Sequence, residues 1–175
     1  MLLFDKDDLE EALRALVEDL VEAGAEAKIK IVGAAAIMLQ VGREAATSDI
    51  DALYGSSPEV KAAVERIAEA RNWSPTWLND AVKMYISHRI TDTDWDLGME
   101  EGGVAVLYAR PRLLLAMKLR AGRGTRDAED IEGLIDACAI ASLAEAEELF
   151  DCYYPEEAMA ERAMRQIRER FPETD

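Results

Sequence analysis

Every run with strand character falls within the first 109 residues, and the remainder of the chain shows only helical periodicity. KIKIVG, from Lys28 to Gly33, is a β-branched run that ends in glycine. Residues 49–54 form a second strand, the ambiguous stretch 83–97 includes another, and VAVLYA over 104–109 is the clearest. A chain with this order builds a small sheet with helices between its strands, followed by an all-helical part. It excludes a long, regularly alternating parallel sheet.

The helices read from their apolar spacing. Leu9, Leu13, Leu16, Val17 and Leu20 mark a helix over 6–23, stopped by Gly24. AAAIMLQVG is small and apolar all round, so it reads as a short buried helix. Ser56 and Ser57 open a helix over 58–71 with Pro58 in its first turn. Pro111 starts PRLLLAMKLRAG, which runs to Gly122. The turn GRGT then leads to a helix over 127–139. Two more follow near 143–152 and 155–171, the last on the stripe Ala160, Met164, Ile167 and Phe171. The loop NWSPTWLND carries Trp73 and Trp77, which either anchor it on the core or stack on a base; tryptophan more often packs. With neither linker nor repeat, the 175 residues read as a single unit, an α/β core over 1–110 and a helical part over 111–175.

Charge narrows the partners. The net charge of −16 argues against duplex DNA, because phosphate contacts dominate that affinity. Yet the stretch from Gly102 to Arg126 contains no acidic residue and carries Arg110, Arg112, Lys118, Arg120, Arg123 and Arg126. One basic patch on an acidic body suits a small polyanion such as a nucleotide; the alternative is a solvated helix face paired with acids elsewhere. Cys138 and Cys152 fit no metal spacing and read as reduced, partly buried thiols. No stretch is apolar enough to span a bilayer and no signal peptide is present, so a cytoplasmic protein without a membrane partner is expected.

Four places could carry chemistry. Gly33, between a strand and a helix, would turn the chain tightly and expose the first N–H groups of the helix to phosphate, or would serve packing alone. In TSDIDALYG, Asp49 and Asp51 stand at i and i+2. The 15 aspartates make about one such pair expected by chance, and the chain has four. On a strand these two point to one side, with Ile50 toward the core. Two hard carboxylates together suit Mg²⁺, which would complete its shell with water and substrate phosphates; a solvated strand end is the alternative. Lys118, inside LLLAMKL, either snorkels to solvent or projects into a cleft. Asp127 and Asp130, three apart, share a helix face, where they either act chemically or cap the helix and complement its dipole. Asp92, Asp94 and Asp96 in TDTDWD read as a solvated turn rather than further metal ligands. His88, the single histidine, has no assigned role.

The order of four segments resembles a known pattern. IVGAAAIML, TSDIDALY, LLAMKLRAGR and RDAEDIEGL look like the four motifs of the nucleotidyltransferase-fold toxins, the AbiEii-like group, and of related bacterial nucleotidyltransferases of unassigned role. WLNDAVK, Trp77 to Lys83, is also similar to one branch of those relatives. The resemblance spans about residues 28–135. It implies an α+β fold, a small mixed β-sheet flanked by helices with a helical C-terminal region. It implies transfer of a nucleoside monophosphate from an NTP to an acceptor, with an RNA end as a candidate acceptor and Mg²⁺ as cofactor. By position, Gly33 and Ala34 would lie against the phosphates, and Asp49 and Asp51 would bind Mg²⁺. Lys118, with Arg120 or Arg123, would hold the triphosphate, and Asp127 or Asp130 would be the fourth-motif acid. Such a chain would be the toxin of a toxin–antitoxin or abortive-infection module, with a cognate antitoxin as partner. It departs from the pattern at Gly33-Ala34-Ala35-Ala36, where relatives commonly carry a serine or threonine after the glycine. That departure supports the alternative of a catalytically degenerate member that binds a partner protein. The single expectation beneath the first reading is that the acid pair and Lys118 share one nucleotide-sized cavity.

Overall fold

A computed structural model describes residues 3–123 and 125–172 of the chain. The fold class is α+β, and the described residues form two compact units.

The first unit comprises the residues up to Met84 together with Trp95–Ala109. Its elements are α1 (Lys6–Glu22), β1 (Ala27–Ile31), α2 (Gly33–Val41), β2 (Ile50–Leu53), α3 (Pro58–Arg71), β3 (Leu78–Asn79), β4 (Trp95–Glu101) and β5 (Val104–Ala109). The strands form one mixed sheet in the order β3-β2-β1-β5-β4. β1 runs parallel to β5 and antiparallel to β2, β2 is parallel to β3, and β4 is antiparallel to β5. One face of the sheet is dry: Ile29, Ile31, Ile50, Ala52, Val104 and Val106 are each fully buried. Against it α1 sets its stripe of Leu9, Leu13, Leu16 and Leu20, also fully buried. Burying one such leucine contributes about 2 kcal/mol. Alternation sends Lys28, Lys30, Asp51, Leu53 and Leu107 to the opposite face, where all are half-buried or exposed.

Caps and turns set these elements. Asp5 and Asp8 form a reciprocal capping box at the start of α1. Ser57 Oγ accepts the Val60 N–H, with Pro58 at the first helical position of α3. Gly102 and Gly103, at φ +54° and +86°, make the two-residue turn between β4 and β5. The tryptophan loop is anchored on the core: Trp77 is 1% exposed, its indole N–H donates to the Val64 carbonyl at 3.1 Å, and Phe4 and Trp73 pack edge-on in the same cluster.

The second unit comprises Tyr85–Asp94 and the chain from Arg110 onward. It holds α4 (Pro111–Ala121), α5 (Thr125–Ala137), α6 (Leu143–Tyr153) and α7 (Glu161–Arg170). α4 is its centre, buried along Leu113, Leu114, Leu115, Ala116 and Leu119 and packed by α5, α6 and α7. The last helix was expected from residue 155 but starts at Glu161. In the preceding turn the Ala160 N–H donates instead to the Leu119 carbonyl at 3.0 Å, satisfying an orphan acceptor at the end of α4. Segment 85–94 is strapped onto these helices by Ser87 Oγ on the Tyr153 carbonyl, by Tyr153 Oη on Asp94 at 2.6 Å and by Tyr154 Oη on the Tyr85 carbonyl at 3.2 Å. Among the described residues no helix is long and apolar enough to cross a membrane.

Candidate functional site

The first unit builds a site where β1 turns into α2. Gly33 sits at φ +66°, a left-handed conformation that glycine alone adopts freely, and it lets the chain double back from strand to helix. Val32, at the N-cap of α2, makes no side-chain capping hydrogen bond, and Ala34 in the first turn is half-buried. Val32 donates its N–H to the Asp51 carbonyl at 2.9 Å, which draws β2 against the turn. The Asp51 carboxylate then fills the space a side chain at Gly33 would take: a Cβ there would lie 2.7 Å from Oδ2.

Asp49 and Asp51 flank the fully buried Ile50, and both are half-buried. β2 begins at Ile50, so Asp49 lies just before the strand rather than on it. Its carboxylate is oriented from both sides, accepting the Ser48 hydroxyl at 3.1 Å and the Asn79 side-chain amide at 3.3 Å. Thr47 Oγ1 donates to the Asp49 carbonyl at 3.1 Å, holding the backbone as well. Asn79 was not foreseen as a site residue. Its signal is its place in WLNDAVK, whose strand β3 pairs Asn79 with Asp51.

Lys30 was not foreseen either. The β1–β2 register sets Lys30 opposite Leu53, and Asp51 is two residues from Leu53, so Lys30 and Asp51 share the open face as diagonal neighbours. Lys30 Nζ stands 4.7 Å from the centre of the Trp95 ring. The alternation in KIKIVG, two lysines on the face away from two isoleucines, is the signal that could have found it.

The second unit gathers the other group of expected residues. Lys118 does not reach solvent: it is 8% exposed, and its ammonium donates to Asp127 Oδ1 at 2.6 Å and Asp130 Oδ2 at 2.7 Å. Both carboxylates are buried, and Asp127 Oδ2 also accepts the Arg123 backbone N–H at 3.0 Å. Burial raises the Asp127 carboxyl, but the hydrogen bond and charge of Lys118, with the Arg123 contacts, outweigh it and hold the group below the ordinary carboxylate range. Third and fourth motifs thus meet through a three-residue ionic core. Arg120 is engaged by the Glu157 carboxylate at 2.5 Å and the Tyr85 carbonyl at 3.0 Å, with its guanidinium 5.0 Å from the Tyr154 ring centre. Arg123 keeps an exposed side chain whose Nε is 3.7 Å from Asp127. Gly124 and the side chain of Arg126 lie outside the described residues.

Asp94 and Asp96 each accept a hydrogen bond from within the chain. Asp94 Oδ2 closes a turn on the Thr91 N–H at 2.7 Å, and Asp96 accepts from Gln40 at 3.1 Å. Among the described residues, no three histidine, cysteine, aspartate or glutamate side chains gather as a metal-holding group. The Asp49–Asp51 pair would therefore supply two ligands and leave the remaining positions to water and substrate oxygens.

The model of the family described as "nucleotidyltransferase of unknown function (DUF6036)" matches residues 9–171. Comparison with the curated proteins and with the solved structures finds no match.

Proposed function

Because the chain belongs to this nucleotidyltransferase family, we propose that it transfers a nucleoside monophosphate from an NTP to an acceptor, with Mg²⁺ held by Asp49 and Asp51. The observation that carries this reading is the seat of the acid pair. The half-buried Asp51 carboxylate lies against the start of α2, in a space that only a glycine at position 33 leaves open, and the half-buried Asp49 stands two residues before it in the chain. The donor set fits a hard cation: carboxylate oxygens, with Asn79 and Ser48 orienting one of them.

Nucleotidyl transfer needs positioned charge more than covalent chemistry. The acceptor hydroxyl oxygen attacks the α-phosphorus, the bond to the bridging oxygen breaks, and pyrophosphate leaves with the electron pair while the hydroxyl proton passes to solvent. Mg²⁺, when bound, would neutralise phosphate charge and lower the pKa of that hydroxyl. The first-turn N–H groups at Gly33 and Ala34 would receive phosphate oxygens. Lys118 would act chiefly by organising Asp127 and Asp130, since two of its three N–H donors already meet carboxylates. An RNA end as acceptor, and the role of toxin beside an antitoxin, rest on the four-motif resemblance alone.

The test is direct. The protein is incubated with each α-labelled NTP, Mg²⁺ and total RNA, and label transfer is followed. Wild-type protein is expected to transfer label, and Asp49→Ala with Asp51→Ala to abolish it. Retained transfer in that variant would refute the site. The second reading, a degenerate member that binds a partner protein, draws on α2 opening with Gly33, Ala34, Ala35 and Ala36 and no hydroxyl. NTP binding absent from a calorimetric titration would favour it.

A further inference from the structure

We propose that the free edge of β4 takes up an extended, lysine- or arginine-bearing segment of a partner protein, which adds a strand to the sheet and lies in the groove between β4 and α1. The inference concerns a face of the first unit that the nucleotidyltransferase reading does not use.

Three observations converge. The first is the edge. β4, Trp95–Glu101, ends the sheet order, so among the described strands it pairs with β5 alone. The side turned away from β5 meets no further strand, and such an edge is a template for main-chain pairing. The second is the groove beside it. α1 packs on β5, and the sheet reaches one strand further, which leaves a hollow of about 630 Å³ between α1 and the β4 residues Gly98 to Glu101. Tyr108 of β5 lines it, with its ring so close to Gly98 that a Cβ there would stand 2.4 Å away. The missing side chain at Gly98 admits that ring and leaves the β4 backbone bare. A strand-adding peptide uses this arrangement: the edge supplies main-chain hydrogen bonds, and the groove receives alternate side chains. The third is charge. α1 presents Lys6, Glu10, Arg14 and Glu18 to the groove, and β4 adds Glu100 and Glu101, so four acids face two bases. Among the described residues none of these six side chains makes an ion pair. Acids on an edge strand guard it against copies of the same chain. With a net charge of −16, neither a second copy nor a nucleic acid suits this face. A basic strand does, because every second side chain of the added strand turns toward the groove and its acids.

The probes are peptides about eight residues long, enough to span a strand of ordinary length, that alternate lysine with valine, leucine, tyrosine or threonine. A second series carries glutamate for lysine. A third keeps lysine but is N-methylated at alternate residues, which preserves the charge and removes the pairing edge. Binding to the full chain is followed by fluorescence anisotropy, and its place by amide hydrogen exchange. At least one lysine peptide is expected to bind and to slow exchange at Leu97 to Glu101, with N-methylation weakening it roughly tenfold or more and the glutamate series not binding. Glu100→Gln with Glu101→Gln is expected to weaken binding about threefold or more. Glu147→Gln with Glu148→Gln, the same change of charge at exposed positions of α6, leaves it unchanged. Equal affinity for the N-methylated peptides, or equal losses in the two glutamine variants, means attraction by net charge alone and overturns the proposal. Protection confined to residues outside β4 and α1 overturns it too, as does failure of every lysine peptide to bind. A protein that sediments as a dimer with its β4 amides already protected puts a second copy at this edge and equally overturns it. Glu100 and Glu101 are exposed, and melting temperatures matched across the variants identify a loss as one of binding.

Discussion

Gly33 and Asp51 are close enough that a methyl group on the first would lie 2.7 Å from a carboxylate oxygen of the second. The contact ties the turn after β1 to the strand that carries the acid pair, so the two most distinctive motifs of the first unit are one piece of geometry.

Gly33→Ala therefore strains the turn twice. The backbone sits at φ +66°, where an L side chain costs roughly 1–2 kcal/mol, and the added carbon must push Asp51 aside. The expected outcome is a loss of about 1–3 kcal/mol in urea unfolding, together with label transfer reduced at least tenfold at a temperature where the variant is still folded. Unchanged transfer would mean that the position of Asp51 does not matter to the chemistry.

Lys118→Met removes the donor of two buried hydrogen bonds while keeping the shape of the side chain, and it takes the ammonium away from the buried Asp127 and Asp130 carboxylates. Breaking one side of a buried ion cluster costs about 3–5 kcal/mol, and a loss of that size should appear as a lowered urea midpoint. Adding Asp127→Asn and Asp130→Asn to Lys118→Met removes the stranded charges and should recover a good part of it. A single variant as stable as wild type would show that the cluster is hydrated rather than buried. The same cost means that lost activity in Lys118→Met must be read at matched fractions folded.

The helices and most strands were legible because burial on one side imposes a period: α1, α3 and α4 fall within about a residue of the spacing in the sequence. What escaped was set by backbone chemistry. β4 extends to Glu101, well past the ambiguous stretch 83–97, because Gly102-Gly103 closes a tight hairpin, and that dipeptide was passed over. The last helix was placed too early because the stripe from Ala160 says nothing of a carbonyl at Leu119 that needs the Ala160 N–H. Cys152 is exposed rather than partly buried, since α6 turns that position outward. In the site, the acid pair was read from its spacing in the sequence, whereas the relation of Asn79 and Lys30 to Asp51 came from strand pairing. For Lys118, apolar neighbours left snorkelling and an inward cleft equally open. What holds the ammonium is Asp127 and Asp130, nine and twelve positions away, through a packing of α4 on α5 that spacing alone does not encode.

The depressed carboxyl of Asp127 gives stability a definite acid limb. A group whose folded pKa lies below its unfolded value of about 3.9 adds stability that is fully present above that value and disappears as pH falls through the folded pKa. Urea unfolding followed from pH 6 to pH 2.5 should show stability dropping below about pH 4. Asp127→Asn, already neutral, should start lower and fall less steeply across the same window. Parallel curves for the two proteins would show that Lys118 and Arg123 do not hold the charged form.

The two thiols should separate cleanly in reactivity. Cys152 is exposed, whereas Cys138 is half-buried and burial pushes its thiol up to about 11, with Arg112 pulling weakly the other way. The thiolate is the reacting form, so at pH 8 only a small fraction of Cys138 is reactive, and access is restricted as well. Titration of the native protein with a disulfide reagent should give one fast equivalent, removed by Cys152→Ser, and a second that appears slowly or only in denaturant, removed by Cys138→Ser. Two fast equivalents in native buffer would contradict the packing of the turn after α5 at Cys138, and a fast one surviving Cys152→Ser would reverse the assignment.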